Sequence, residues 1–210
     1  MKYPLFTHKL CMASFVCFAF SWFPQGIEAR IGERSETIER RLFNSGGIVY
    51  RDDAIEQSRQ RGMPYLKYLD YVGRSSDVRV YFKTPDGRKP ASSELEKKRM
   101  GDGWDLHVVY VNGKSVLEVY KRSRRISEHE LNYLLSQQAQ GSFWKRVEKG
   151  ETTEAVSAFG FGMVREDGNV RAKKMGGDSI LFVDSGFDES LAKLNESDLQ
   201  QKAPVSVDGF

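Results

Sequence analysis

The chain has 210 residues, 40% of them apolar and 12% aromatic, which is enough to bury a core in one or two domains and excludes a wholly disordered chain. A formal net charge of only +3 argues against a dedicated nucleic-acid binder, which carries a much larger basic excess.

Lys2, His8 and Lys9 precede an apolar run of 14 residues, Leu10 to Phe23, followed by Pro24 and a short polar stretch ending at Ala29. This is the layout of a secretory signal peptide over residues 1–29, with cleavage expected after Ala29. The run is short of the roughly 20 residues a spanning helix needs, which favours cleavage over retention as an anchor. No second apolar stretch of that kind follows, so no integral membrane span is expected after cleavage. Cys17 lies in mid-run behind Phe15 and Val16, whereas a lipid-attachment cysteine needs a small residue before it. Both cysteines, Cys11 and Cys17, belong to the leader. The mature chain is then free of disulfides and of thiol chemistry, and an exported protein held by its core alone suits a bacterial envelope. Taking Lys2 and Lys9 from the 32 basic side chains and Glu28 from the 29 acidic ones leaves 30 against 28. The expected location is the periplasm or the extracellular space.

Along the mature chain, Arg30 to Asn44 reads as a helix, with Ser35 as its cap, Glu36 at its positive end and Ile38, Leu42 and Phe43 on one stripe. Ile48 to Tyr50 is a brief strand. Asp52 to Arg61 gives one or two helical turns ending at Gly62; its only apolar residues, Ala54 and Ile55, leave a solvated connection as the alternative. Tyr65 to Val72 and Val78 to Lys83 read as two strands of a hairpin. Residues 84–103 form a polar insertion containing Pro85-Asp86-Gly87, Pro90 and one exposed helical turn after Ser92 or Ser93, and long connections of this kind are where partner contacts often sit.

Trp104 to Tyr120 is the clearest element, two alternating runs meeting at Asn112-Gly113, which predicts a hairpin with a type I′ turn. An unbroken register from that turn sets His107 opposite Glu118, with Trp104, Leu106, Val108, Leu117 and Val119 on the buried face. Ser127 and Glu130 have capping-box spacing, Ile126 and Leu131 staple spacing, and Leu131, Leu134 and Leu135 form the buried stripe of a helix closed by Gly141. Phe143 and Trp144 are expected to lock it onto the sheet. Phe159 to Val164 and Val170 to Met175 read as a hairpin around Asp167-Gly168, and Ser179 to Val183 as a last strand. Residues 186–210 read as a C-terminal helix or tail carrying Leu191, Leu194 and Leu199. The order predicts an α+β fold in a domain over 30–185, made of two helix-then-antiparallel-sheet units, 30–121 and 122–185, with a central β-hairpin.

Few side chains offer chemistry. Gly177-Asp178-Ser179-Ile180 imitates the nucleophile block of GDSL-type hydrolases, but no histidine follows Ser179 to act as its base. His107 is accounted for by a cross-strand pair with Glu118 worth on the order of 0.2 to 1 kcal/mol. His129 sits at an exposed helix start, and Glu128-His129-Glu130 cannot aim three ligands at one metal ion. No metal or other cofactor is expected. The basic run from Lys121 to Arg125 makes Arg122, Arg124 and Arg125 the candidate binding residues, suited to anionic lipid, polysaccharide or an acidic protein face.

Ile31-Gly32-Glu33 leading into the helix of Ile38 and Leu42, together with ISEHELNYLLSQQAQGSFWKRV at 126–147, resembles a group of exported bacterial proteins of uncharacterised role. In these an IGE start precedes a helix, a strand pair follows, and an LSE…LL…W helix opens the second half. The pattern is also similar to the SmpA/OmlA outer-membrane assembly lipoproteins and to the β-lactamase-inhibitor-like fold. The lipid-attachment cysteine of the SmpA/OmlA pattern is missing, and the 84–103 insertion has no counterpart in it. The resemblance implies a small envelope-binding module without enzymatic activity, and the residues together with it lead to the expectation of an exported, non-enzymatic α+β module that binds a protein or cell-envelope component, using an exposed sheet face or the 84–103 connection. An envelope hydrolase using Ser179 or His107 is the alternative.

Overall fold

The computed structural model describes residues 30–50, 53–73, 75–95, 101–147 and 156–201. The leader, the middle of the charged patch at 96–100 and the tail at 202–210 lie outside the described residues. In chain order the elements are α1 (Ser35–Asn44), β1 (Ile48–Val49), α2 (Asp53–Gln60), a 3-10 helix (Leu66–Tyr71), β2 (Ser76–Lys83), α3 (Ser92–Leu95), β3 (Trp104–Val111) and β4 (Lys114–Arg122), then α4 (Glu128–Ala139), β5 (Trp144–Arg146), β6 (Met163–Arg165), β7 (Val170–Met175), β8 (Ser179–Asp184) and α5 (Ser185–Gln201). The eight strands form one sheet in the order β1-β2-β3-β4-β8-β7-β6-β5, and every pairing is antiparallel, so the fold is α+β. The chain walks from one edge to the centre at β4, crosses to the opposite edge at β5, and walks back until β8 closes against β4.

The central hairpin turns as its residues require: Asn112 and Gly113 have φ of 52° and 74°, the pair of positive values of a type I′ turn. Its register departs from the simple count. Tyr110 pairs with Ser115 but Val109 pairs with Leu117, so Val116 is an unpaired extra residue in a β-bulge. Beyond it every β4 side chain changes face. Glu118, Tyr120 and Arg122 join Trp104, Leu106, Val108 and Tyr110, whereas Leu117 and Val119 join Asp105, His107 and Val109. His107 therefore opposes Val119, and the expected pair with Glu118 does not exist.

Both sides of the sheet are covered. On one, Ile38 and Leu42 of α1 and Leu131, Leu134 and Leu135 of α4 pack on Leu106, Val108, Tyr120, Ile180 and Phe182. Each large apolar side chain fully buried there contributes about 1.5–3 kcal/mol. The capping box is formed, with Ser127 Oγ accepting from Glu130 N at 3.2 Å and Ser127 N donating to Glu130 Oε2 at 2.9 Å. Ile126 is buried, and Leu131 packs against the same core. Trp144 locks α4 as expected, its Nε1 donating to Leu135 O at 2.7 Å and its ring 5.7 Å from that of Phe182, whereas Phe143 is exposed. On the other side Tyr65, Tyr68, Phe159 and Leu191 cover Val109, Leu117, Val119, Leu181 and Val183. The exposed sheet face expected from the sequence is thus closed over the central strands.

Other departures are local. The segment expected as a strand over Tyr65 to Val72 instead holds the 3-10 helix Leu66–Tyr71, because Tyr65 and Tyr68, and Leu66, Leu69 and Val72, repeat every third residue, the period of that helix. β2 pairs with β3 in place of the expected partner. α1 starts without a side-chain cap; Ser35 is buried inside it, and its start is fixed by backbone bonds from Gly32 N to Ser115 O and from Ser115 N to Glu33 O, both 2.8 Å. Phe43 turns outward from the stripe of Ile38 and Leu42. Phe159 lies outside any strand and points into the core, and β5 has no counterpart among the expected strands.

Candidate functional site

One set of buried polar groups lies beneath α2, on the side of the sheet that carries Asp105 and His107. These two stand two residues apart on β3 and so point the same way. Three elements bring partners to them: Tyr50 follows β1, Arg59 comes from the last turn of α2, and Tyr65 precedes the 3-10 helix. Tyr50 Oη donates to Asp105 Oδ1 at 3.2 Å, and Arg59 Nη1 lies 3.6 Å from Asp105 Oδ2, with its guanidinium 5.6 Å from the centre of the Tyr50 ring. Tyr65 Oη is 2.9 Å from His107 Nδ1. Asp105, His107 and Arg59 are 1%, 0% and 8% exposed, so all three are cut off from bulk water.

Burial sets their protonation. It pushes Asp105 up to about 6 against the pull of the Arg59 charge, and pushes His107 down to about 3, with Lys121 and Arg59 adding to the effect. It also raises the phenols of Tyr50 and Tyr65, which stay protonated. The imidazole is neutral, and its Nδ1 is hydrogen-bonded to the Tyr65 hydroxyl, either group serving as donor according to the tautomer. Its Nε2 has no hydrogen-bond partner, and neither do Arg59 Nε and Nη2. The cluster contains no serine, threonine or cysteine nucleophile.

A second buried group sits on the opposite side of the sheet. Glu118 is 0% exposed; its Oε2 accepts from Gln138 Nε2 at 2.6 Å and Tyr120 Oη at 3.1 Å, while Oε1 is unpartnered. Burial lifts its carboxyl to about 7 despite those hydrogen bonds. Gln138 Oε1 in turn accepts from Ile31 N at 3.1 Å, so this carboxyl is linked through α4 to the segment that leads into α1.

The candidate binding arginines are not brought together. Arg122 is 2% exposed, a correction to the picture of a solvated basic run. Its Nη1 donates to Gly103 O at 2.9 Å and Asp102 Oδ1 at 3.0 Å, its Nε to Glu130 Oε1 at 3.2 Å, and its guanidinium lies 5.3 Å from the Trp104 ring centre. The face change at Val116 turns it inward, whereas Arg124 and Arg125, beyond the strand end, are exposed. Ser179 is buried, its Oγ donating to Asp178 Oδ1 at 2.7 Å and lying 3.1 Å from Met175 O. His129 is exposed on α4. Among the described residues no three His, Cys, Asp or Glu side chains converge where a metal ion could sit, and no helix is long and apolar enough to cross a membrane.

The sequence contains only weak signals for Tyr50, Arg59 and Tyr65 as a group. One existed: an arginine on a helix with almost no apolar residues needs another reason to dock, and a buried ion partner is such a reason. Compared with known proteins, the chain matches no family model, no curated protein and no solved structure.

Proposed function

We propose that the protein is an exported, non-enzymatic module, built from two helix-then-sheet units, that binds a protein or a component of the cell envelope. The unit reading is supported by chain order, since α1 leads into β1–β4 and α4 into β5–β8, and the two sets meet at the β4–β8 pairing. The non-enzymatic reading rests on one observation: the two side chains a hydrolase would use, Ser179 and His107, are both buried and engaged with different internal partners. A nucleophile requires a base within hydrogen-bond reach, and Ser179 has an aspartate and a carbonyl instead.

Of the two contact surfaces suggested by the sequence, the sheet face is covered, which leaves the connection that begins at Thr84. Its described part is an ordered ledge: Arg88 bridges to Asp86 and Glu94, and Glu94 Oε2 accepts from Ala91 N at 2.7 Å. Lys89 projects from it into solvent. A photo-cross-linking residue at Lys89 in the native host is expected to give a discrete adduct in the envelope fraction that the same residue at exposed Lys174 does not give, on a chain lacking residues 1–29. Retention of the whole chain in the cytoplasm would defeat the export reading. Esterase or peptidase activity abolished by Ser179→Ala or His107→Ala would defeat the non-enzymatic one.

A further inference from the structure

We infer that Glu118 acts, through Ser115 and Gln138, as a proton-operated latch on residues 30–34, which are held while its carboxyl is protonated and released when it ionises. Glu118 is fully buried, and its neighbours across the ladder, Val108 and Phe182, are both apolar. Two links join it to the backbone of the 30–34 segment. Its Oε2 accepts from Gln138 Nε2 at 2.6 Å, and Gln138 Oε1 accepts from Ile31 N at 3.1 Å. Ser115 is the second link. Its hydroxyl is close enough to Glu118 to lower the proton affinity of the carboxyl, but its one hydrogen goes to Arg30 O at 2.8 Å. Glu118 Oε1 is left without a donor.

The groups around the carboxyl oppose its ionisation. From the 30–34 segment, the Glu33 charge raises its proton affinity even though Arg41 pairs with Glu33, and the Arg30 guanidinium is turned to Gln137 Oε1 at 3.4 Å. From β3 comes the Tyr110 phenol, kept protonated by burial and 3.0 Å from Tyr81 Oη; beyond it Arg79 and Glu39 pair with each other. From β4, Tyr120 Oη donates to Oε2. The ionisable side chains of α4, Glu128, His129, Glu130 and Tyr133, precede its last turn, from which Gln138 reaches Glu118. Ionisation thus creates a buried anion with one bare oxygen, repelled by Glu33. Turning the Ser115 hydrogen to it strips Arg30 O of its donor, and admitting water requires the lightest cover to lift. That cover is the 30–34 segment: Ile31 is its one apolar side chain in the core, whereas α4 is held by Leu131, Leu134 and Leu135. Release uncovers Ile31 and the Ser115 backbone, whose N and O are bonded to Glu33 O and Gly32 N at 2.8 Å, an edge that becomes accessible as pH rises.

The latch depends neither on export nor on any partner. Backbone hydrogen exchange of the folded chain, corrected for the intrinsic pH dependence of exchange, reads the opening at Ile31, Gly32 and Ser115. With the enclosed carboxyl at about 7 and a hydrated one near 4.5, opening should grow at least about tenfold, and at most about 70-fold, from pH 5 to pH 8. These three amides should be less protected than those of Leu134 and Phe182 throughout, because the segment lifts without unfolding helix or sheet. In Glu118→Gln the pH dependence should vanish. Opening that stays flat with pH in the wild type, protection equal to that of Leu134 and Phe182, or an unchanged pH dependence in Glu118→Gln overturns the latch. Should that variant not fold, a carbon-13 titration of the wild-type Glu118 carboxyl decides. A midpoint near 7 shared by the three amides is expected; a midpoint near 4.5, or one that the amides do not follow, overturns the latch.

Discussion

Replacing Glu118 by glutamine tests the account of the sheet interior most directly. The wild-type carboxyl is raised by burial from an ordinary value near 4.5 to about 7. Between those limits the folded protein holds a proton that the unfolded chain has released, so the contribution to stability is intact below about pH 4.5 and is lost as pH rises through 7. At about 1.4 kcal/mol per pH unit of displacement, the loss comes to about 3 kcal/mol by pH 8. The amide cannot ionise. Its oxygen can still accept from Gln138 and Tyr120, and its nitrogen occupies the place of the unpartnered Oε1, an orphan donor costing about 1 kcal/mol. Glu118→Gln should therefore lie within about 1 kcal/mol of wild type at pH 5 and be about 2 kcal/mol more stable at pH 8. Urea unfolding of both proteins across that range gives the difference curve, which cancels two other contributions. Asp105, raised to about 6, favours low pH in the same way, whereas His107, depressed to about 3, removes stability as pH falls below the 6.5 at which the unfolded imidazole takes a proton. Parallel curves, or a variant less stable than wild type at pH 8, would refute the reasoning.

Arg122→Ala should cost about 2–3 kcal/mol in urea unfolding, because it empties a buried position and removes the charged donor to Gly103 O, Asp102 and Glu130, whereas the double change Arg124→Gln/Arg125→Gln should stay within about 0.5 kcal/mol. Ser127→Ala is expected to lower stability by about 1 kcal/mol by opening the capping box of α4, read by the same assay. Gly46→Ala should destabilise by more than about 2 kcal/mol and reduce soluble yield, since its φ is +82° and a Cβ there would lie 1.9 Å from Gly87 O; Gly62→Ala, at φ +81° with open space around it, should cost only about 1 kcal/mol.

What could be read without coordinates was chemistry confined to a few neighbouring residues. The Ser127–Glu130 box, the Asn112-Gly113 turn, α2 and the strand alternation of β3 each depend on side chains meeting backbone within about four positions, and each stands in the structure. Misreadings arose where two local patterns competed. At Tyr65–Val72 aromatic content suggested a strand while the three-residue spacing carried the helix. At β4 a bulge of one residue reversed the faces of everything after Val116.

By itself, then, the order of residues determined the capping box of α4, the hairpin turn and the mixed helix-and-sheet character, because those follow from torsional preference and nearest-neighbour hydrogen bonds. Only the tertiary structure decided that Arg122 points inward, that Glu118 is sealed away from His107, and that Tyr50 and Tyr65 reach Asp105 and His107 from 55 and 42 positions away. The physical reason is that burial, and the proton affinities it imposes, belong to the space between elements, which exists only once the sheet is covered on both sides.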